Sequence, residues 1–166
     1  MTTQIWTAKL GDKFTGESQL EGATGHIDLQ ARPTFESLQV ERGTHGSGLS
    51  PSGVPSYGNI FVFGRWSSSS PGLRLLQDGE PIDQVQFFSW IMDPSTKKPA
   101  QRIIWTASDC TIRDVREGDL DAEPDAFQVQ WMTLKTETKK QDPKTGALGA
   151  GTVVIYDRYK GVLSSS

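Results

Sequence analysis

The longest apolar stretches of the chain are β-branched and aromatic runs punctuated by Pro, Gly and Asp, the pattern of antiparallel strands. They run from Gln84 to Met92, through a turn at Asp93 to Pro99, from Gln101 to Arg116, and, after an acidic break, from Phe127 to Thr138. In the last run Phe127, Val129 and Trp131 alternate with Gln128, Gln130 and Met132, so one face is apolar and the other largely uncharged and polar. In the middle run Ile103, Trp105 and Ala107 share one parity, and Ile104, Thr106, Ser108, Cys110 and Ile112 share the other. Neither face is strongly polar there, which predicts a strand covered on both sides.

Shorter alternating segments precede these. Gln4 to Leu10 predicts a strand closed by Gly11 and Asp12. The stretch from Lys13 to Gln19 is too polar and glycine-rich for a core element and reads as a surface loop. His26–Gln30 and Thr34–Glu41 predict two half-exposed strands, with Pro33 between them. Gly43 to Gly58 carries no periodicity at all. A structureless stretch of that length is uncommon in a compact domain and is either functional or a solvated loop. As a contact arm its candidate residues are Thr44, His45, Ser47, Leu49, Ser50, Ser52, Val54 and Tyr57.

Asn59 to Trp66 predicts a further strand. Beyond it, Ser70 suits a helix cap, Pro71 the first helical position and Gly79 the end, with Leu73 and Leu76 on one buried face. One short helix is expected, plugging an open end or side of the sheets. Glu117 to Asp125 reads as a solvated acidic turn, because it lacks the glycine and spaced ligands of a calcium loop. Lys139 to Ala150 reads as a long polar connection, Thr152 to Tyr159 as a final strand, and residues 164–166 as a serine tail. The fold class is therefore mainly β, an antiparallel barrel or sandwich with one short helix and a long extended loop. Residues 1–163 form its single domain.

Composition narrows the function. A chain of 166 residues fits one domain with a self-sufficient core. The lone cysteine, Cys110, rules out an internal disulfide and a cysteine-rich zinc site. A formal net charge of -3 and the lack of a basic stripe argue against a nucleic-acid binder. No apolar run approaches a membrane span, and Met1 to Lys13 lacks the pattern of a secretory signal, so assembly in the cytoplasm without membrane insertion is expected.

Candidate chemistry is sparse. Ser95-Thr96-Lys97-Lys98 and Lys144-Thr145-Gly146 echo motifs of serine β-lactamases and penicillin-binding proteins, but Ser95 falls in a hairpin turn and no Ser-Asp-Asn follows. His26 and His45 have neither metal-ligand spacing nor an evident carboxylate or serine partner. The glycine-rich arm lacks the Lys-Ser or Lys-Thr of a phosphate loop. No catalytic residue, cofactor or metal site is expected, and the chain is not expected to be an enzyme.

In serial order the segments resemble the Hcp proteins, the tube subunits of type VI secretion systems, which are related in fold to phage tail-tube proteins. Ile5 to Asp12 with Thr15-Gly16-Glu17-Ser18 resembles the family's opening strand and its Gly-Glu-Ser turn. Ile27–Leu29 and Phe35–Leu38 occupy the place of the next strands, and Gly43 to Gly58 that of the extended loop. Ser70-Pro71-Gly72-Leu73 to Gly79 resembles the family's Ser/Thr-Pro helix. The runs Val85–Met92, Ile103–Val115 and Phe127–Thr136 follow, the middle one with a similar Asp-x-x-Ile feature at Asp109–Ile112. Two features depart from the family pattern: a proline-rich arm, and Leu134-Lys135-Thr136-Glu137 at the end of the penultimate strand.

The resemblance implies a barrel subunit that forms six-membered rings stacked into a hollow tube, stacking through the arm. It implies sheath and spike partners, small effector proteins in the lumen, and export by the machine without a signal peptide. A phage-type tail-tube protein and a monomeric β-barrel binding module remain the alternatives. Exposure of Trp6, Trp66 or Trp90 would favour the last.

Overall fold

The computed structural model describes residues 4–12, 14–35, 44–45, 48–49, 58–64, 66, 73, 76, 80–118, 123–158 and 162–165. Among them the strands are β1 (Ile5–Leu10), β2 (Ile27–Leu29), β3 (Thr34–Phe35), β4 (Thr44–His45), β5 (Gly48–Leu49) and β6 (Ile60–Gly64). They continue as β7 (Ile82–Met92), β8 (Pro99–Arg116), β9 (Asp125–Gln130), β10 (Thr133–Gln141), β11 (Leu148–Asp157) and β12 (Val162–Ser165). The mainly β class read from the sequence is the class observed.

Six of these strands close on themselves in the order β8-β7-β1-β2-β6-β9, every pair antiparallel. Closure leaves no free edge in this wall. The 18-residue β8 makes it possible. One edge of β8 pairs with β7. On the other edge Ile103–Ser108 pairs with β10, while Thr111–Arg113 pairs with β9. The wall therefore forks, and β10, β11 and β12 continue as an apron off the barrel.

The fork coincides with Asp109, which has φ 54. A non-glycine residue adopts the left-handed region rarely, and Asp is one of the types that tolerates it. One such residue breaks strict alternation. Trp105 and Ala107 face the core before it, and Cys110 and Ile112 face the same core after it. The sequence alternation assigned Cys110 and Ile112 to the opposite face, and the break at Asp109 corrects that.

The core fills the barrel with Trp6, Leu10, Ile60, Val62, Phe87, Trp105, Phe127, Val129 and Trp131 among others. Trp6, Phe35 and Phe87 crowd around Trp105 at ring separations of 5.5, 5.2 and 6.3 Å. Leu73 is helical and fully buried in this core; Leu76, also helical, is partly buried against it. The rest of the expected helix, Ser70 to Gly79, lies outside the described residues. A smaller cluster of Ala23, Phe88 and Trp90 lies on the outer face of β7, packed by Leu20 and Ile104. It accounts for the double coverage of the central strands.

Other expectations are corrected. Phe127 to Thr138 is two strands, because the chain breaks at Trp131, whose indole donates to the Gly58 carbonyl at 3.2 Å and carries the Arg158 guanidinium 4.1 Å above its ring. Lys139 to Ala150 is a hairpin, closed by Asp142, which accepts from the amides of Lys144 and Thr145. The serine tail contributes Ser164 and Ser165 to β12, opposite Ile155 and Val154. Phe14, placed on a surface loop, is buried. Asp125 is no solvated turn acid but is buried, its carboxylate accepting from the amides of Trp66 and Gly118 at 2.9 Å each.

Candidate assembly surface

Strand register places two rows of side chains across the outer face of the wall and apron. One row runs Lys9, Gln86, Thr106, Lys135, Ile155, Ser164, and the next runs Thr7, Phe88, Ile104, Glu137, Val153. Contacts agree with that face: Gln86 donates to the Thr106 hydroxyl at 3.4 Å, and Lys135 pairs with Glu137 at 3.4 Å. The first row is polar with scattered charge. On β9, Gln128 is instead held locally, between Asp114 and Asn59. The extended polar face is therefore on β7, β8 and β10, whereas the sequence alternation pointed to Gln128 and Gln130.

The sheet path ends at β12 on one side and β3 on the other. Each presents a strand edge able to pair with another chain. Of the arm residues, Thr44–His45 pairs with Gly48–Leu49 in a separate small hairpin. Ser47, Ser50, Ser52, Val54 and Tyr57 lie outside the described residues.

Two hairpin turns meet at the same end of the apron. In the turn joining β7 to β8, the Asp93 amide donates to the Lys98 carbonyl and the Asp93 carbonyl accepts from the Lys97 amide; in the turn joining β10 to β11, Asp142 does the same with Ala147 and Gly146. Both begin Asp-Pro, and a Cβ added at Gly146 would lie 2.6 Å from Pro94 Cγ, so the tips touch. Hydrogen bonds from the Ser95 hydroxyl and amide hold the Asp93 carboxyl below the usual carboxylate range, and those from the Lys144 and Thr145 amides do the same for Asp142.

This geometry also disposes of the lactamase echo. Ser95 donates its hydroxyl proton to Asp93 at 2.7 Å, and Lys98 pairs with Glu21 at 3.0 Å, so neither serves the other as base or nucleophile. Cys110 is buried, and burial pushes its thiol up to about 12. A cavity of about 670 Å³ lies beside Leu76, lined by the acids Asp12, Glu80, Asp83 and Asp109, with Lys9 the basic group. Among the described residues no group of His, Cys, Asp and Glu is arranged to hold a metal ion. No helix there is long and apolar enough to cross a membrane. Trp6, Trp66 and Trp90 are all buried, which removes the exposed aromatics that a binding module would have offered.

The class this architecture defines is the Hcp-like barrel. Hcp1 from Salmonella typhimurium superposes with a TM-score of 0.69 at 20% identity, over 99% of this chain and 100% of that one. A type six secretion system protein gives 0.75 at 15% identity, over 98% and 100%. The secreted protein Hcp3 from Pseudomonas aeruginosa gives 0.59 at 11% identity, over 93% and 99%. No protein-family model and no curated protein matches the chain. The resemblance in segment order thus extends to the three-dimensional fold.

Proposed function

We propose that the protein is a structural tube subunit of a contractile injection machine of the type VI secretion kind. The observation that carries this reading is end-to-end likeness: barrel and apron together are matched over 98% of this chain and 100% of the type six secretion system protein. Subunits join laterally into six-membered rings, for which β3 and β12 offer strand edges in a heterologous arrangement. Rings stack through the arm from Gly43 to Gly58. The stacked tube is enclosed by a sheath and capped by a spike, carries small effector proteins, and leaves the cell with the machine. The polar face of β7, β8 and β10 suits a water-filled lumen, because its glutamine, threonine and serine side chains satisfy themselves with solvent.

Light scattering of dilute protein, with negative-stain images of the same sample, tests the reading. Rings of about six subunits, or stacked tubes, are expected from closed cyclic symmetry. A strict monomer at high concentration returns the chain to the binding-module alternative. Deleting Gly46 to Ser56 tests the arm: the shortened protein is expected to fold and form rings that no longer stack.

A further inference from the structure

The loop between β1 and β2 folds back on itself and lies across the outer face of β7. Its two ends are stitched together, the Gly16 amide donating to the Gly25 carbonyl at 2.8 Å and the Ser18 amide to the His26 carbonyl at 2.9 Å. Gly16 is required there, since any Cβ would overlap the His26 carbonyl. Ala23, wholly buried, and Leu20 cover Phe88 and Trp90. At the rim, Glu21 pairs with Lys98 of the β7–β8 turn at 3.0 Å. Phe14 roots the loop in the barrel core, and beyond it the loop is a strap with one apolar contact, one exposed ion pair and one buried polar anchor.

The anchor is a chain of three side chains from three elements. The Trp90 indole donates to Thr7 Oγ1 at 2.8 Å, and Thr7 Oγ1 stands 2.9 Å from His26 Nδ1. Thr7 is wholly buried and His26 is 6% exposed. An indole only donates, so the Thr7 oxygen is the acceptor of that bond. The Thr7 hydroxyl proton is then free to go to His26 Nδ1, the arrangement made when the imidazole is the neutral tautomer carrying its proton on Nε2. A proton taken up from solvent at Nδ1 turns that nitrogen into a donor. Thr7 Oγ1 would then receive two donors, and its own proton would lose Nδ1 as its acceptor in a buried setting.

We propose that the loop from Phe14 to His26 is an acid-released strap: protonation of His26 breaks its bond with Thr7, lifts the loop from β7 and uncovers Phe88 and Trp90. The surroundings of His26 favour this response. Burial is the largest influence and holds its pKa below the ordinary value; Lys9 on β1 acts in the same direction, and Asp28 on β2 opposes both. From β7 the neighbours are the Phe88 and Trp90 rings, at 4.9 and 6.2 Å, which carry no charge. Within the loop Glu21 is turned to Lys98, leaving Glu17 as its other carboxylate. The inference stands apart from the tube reading and needs no assembly.

Amide hydrogen exchange of the full-length protein at about pH 7.5 and about pH 5.5, either side of the ordinary histidine range, tests it. After correction for intrinsic rates, the segment 14–26 is expected to lose protection by about tenfold in acid, while β8 and β10 hold theirs. His26→Asn presents an amide oxygen where Nδ1 stood and cannot be protonated, so its strap should exchange alike at both values. Equal loosening in the variant, or an unchanged strap in the native protein, overturns the proposal. Should the variant not fold, His45→Gln leaves His26 as the single imidazole, its two histidines reduced to one. Nuclear magnetic resonance then follows that ring and the Trp90 indole proton together. The two are expected to titrate as one, and an indole signal indifferent to the imidazole overturns the strap.

Discussion

Lys97 and Gly146 hold the same left-handed position, φ 55 and φ 73, in two hairpin turns of one design. Each turn opens Asp-Pro, and in each the amide of the left-handed residue bonds to the carbonyl of that aspartate at 2.8 Å. The same backbone thus serves two sequences, one of which carries a side chain at a cost. Glycine adopts this region freely, whereas an L side chain crowds the following carbonyl.

Lys97→Gly is therefore expected to stabilise the protein, by roughly 0.5–1 kcal/mol once the added freedom of the unfolded chain offsets part of the relieved strain. Gly146→Ala should act in the opposite sense and more strongly. Its new Cβ would meet Pro94 Cγ at 2.6 Å and adopt a disfavoured φ, so the loss is expected to exceed about 1 kcal/mol. Urea unfolding of both variants checks the pair, and equal effects in the two would contradict the shared geometry.

Asp125 ties β6 to β9 beyond their ladder. It sits opposite Gly64 in register and receives the amides of Trp66 and Gly118 on its two carboxylate oxygens. Asp125→Ala strands a buried donor at Trp66 and a partly buried one at Gly118, an expected loss of roughly 2–3 kcal/mol from two unmade bonds. Asp125→Asn keeps one acceptor and turns a donor toward the other amide, so it should fall between the alanine variant and the native protein. Denaturant midpoints with an unchanged slope would show the effect to be in the folded state.

Strands whose one face is buried were legible in the sequence, because burial writes a two-residue period into the side chains. Ile60 to Gly64 and Phe127 to Gln130 show it, buried and partly buried positions alternating along each. The parity switch at Asp109 left no such trace, since one left-handed residue changes direction without changing hydrophobicity. The apron hairpin was hidden for a different reason. Lys139, Lys140, Gly149 and Gly151 are exposed in strands that reach past the core, so no apolar face marks them. Asp125 looked like any turn acid, and only tertiary structure brings Trp66 to it from 59 positions away. The anchor of Thr7, His26 and Trp90 was equally invisible, its members standing 19 and 83 positions apart.

Cys110 gives a test of the parity correction. On the assigned inner face it is wholly buried, with its thiol pushed up to about 12 from 9.0. A thiol that titrates so high carries roughly a thousandfold less thiolate than an ordinary cysteine at the same pH, before any steric protection is counted. A thiol reagent at mildly alkaline pH is expected to leave the folded protein untouched and to modify one group per chain after unfolding. Rapid modification without unfolding would place Cys110 on the outer face.

The pH dependence of stability follows from the same linkage that governs the strap. His26 has a folded pKa below 6.5, so between the two values the unfolded chain binds more protons than the folded one. Stability from this group is fully present above 6.5 and is lost as pH falls toward and through the folded value. The loss cannot be steeper than about 1.4 kcal/mol per pH unit for a single proton. Asp93 and Asp142 also have depressed values, but their contributions begin to be lost only as pH falls below the ordinary 3.8, and both are fully exposed. The two acid limbs therefore begin at different pH values. Urea midpoints measured from neutrality to about pH 5 should fall in the native protein and fall less in His26→Asn, because that range covers histidine titration and stops short of the ordinary carboxylates. A native midpoint that stays level over the same range would mean that His26 binds its proton as readily folded as unfolded.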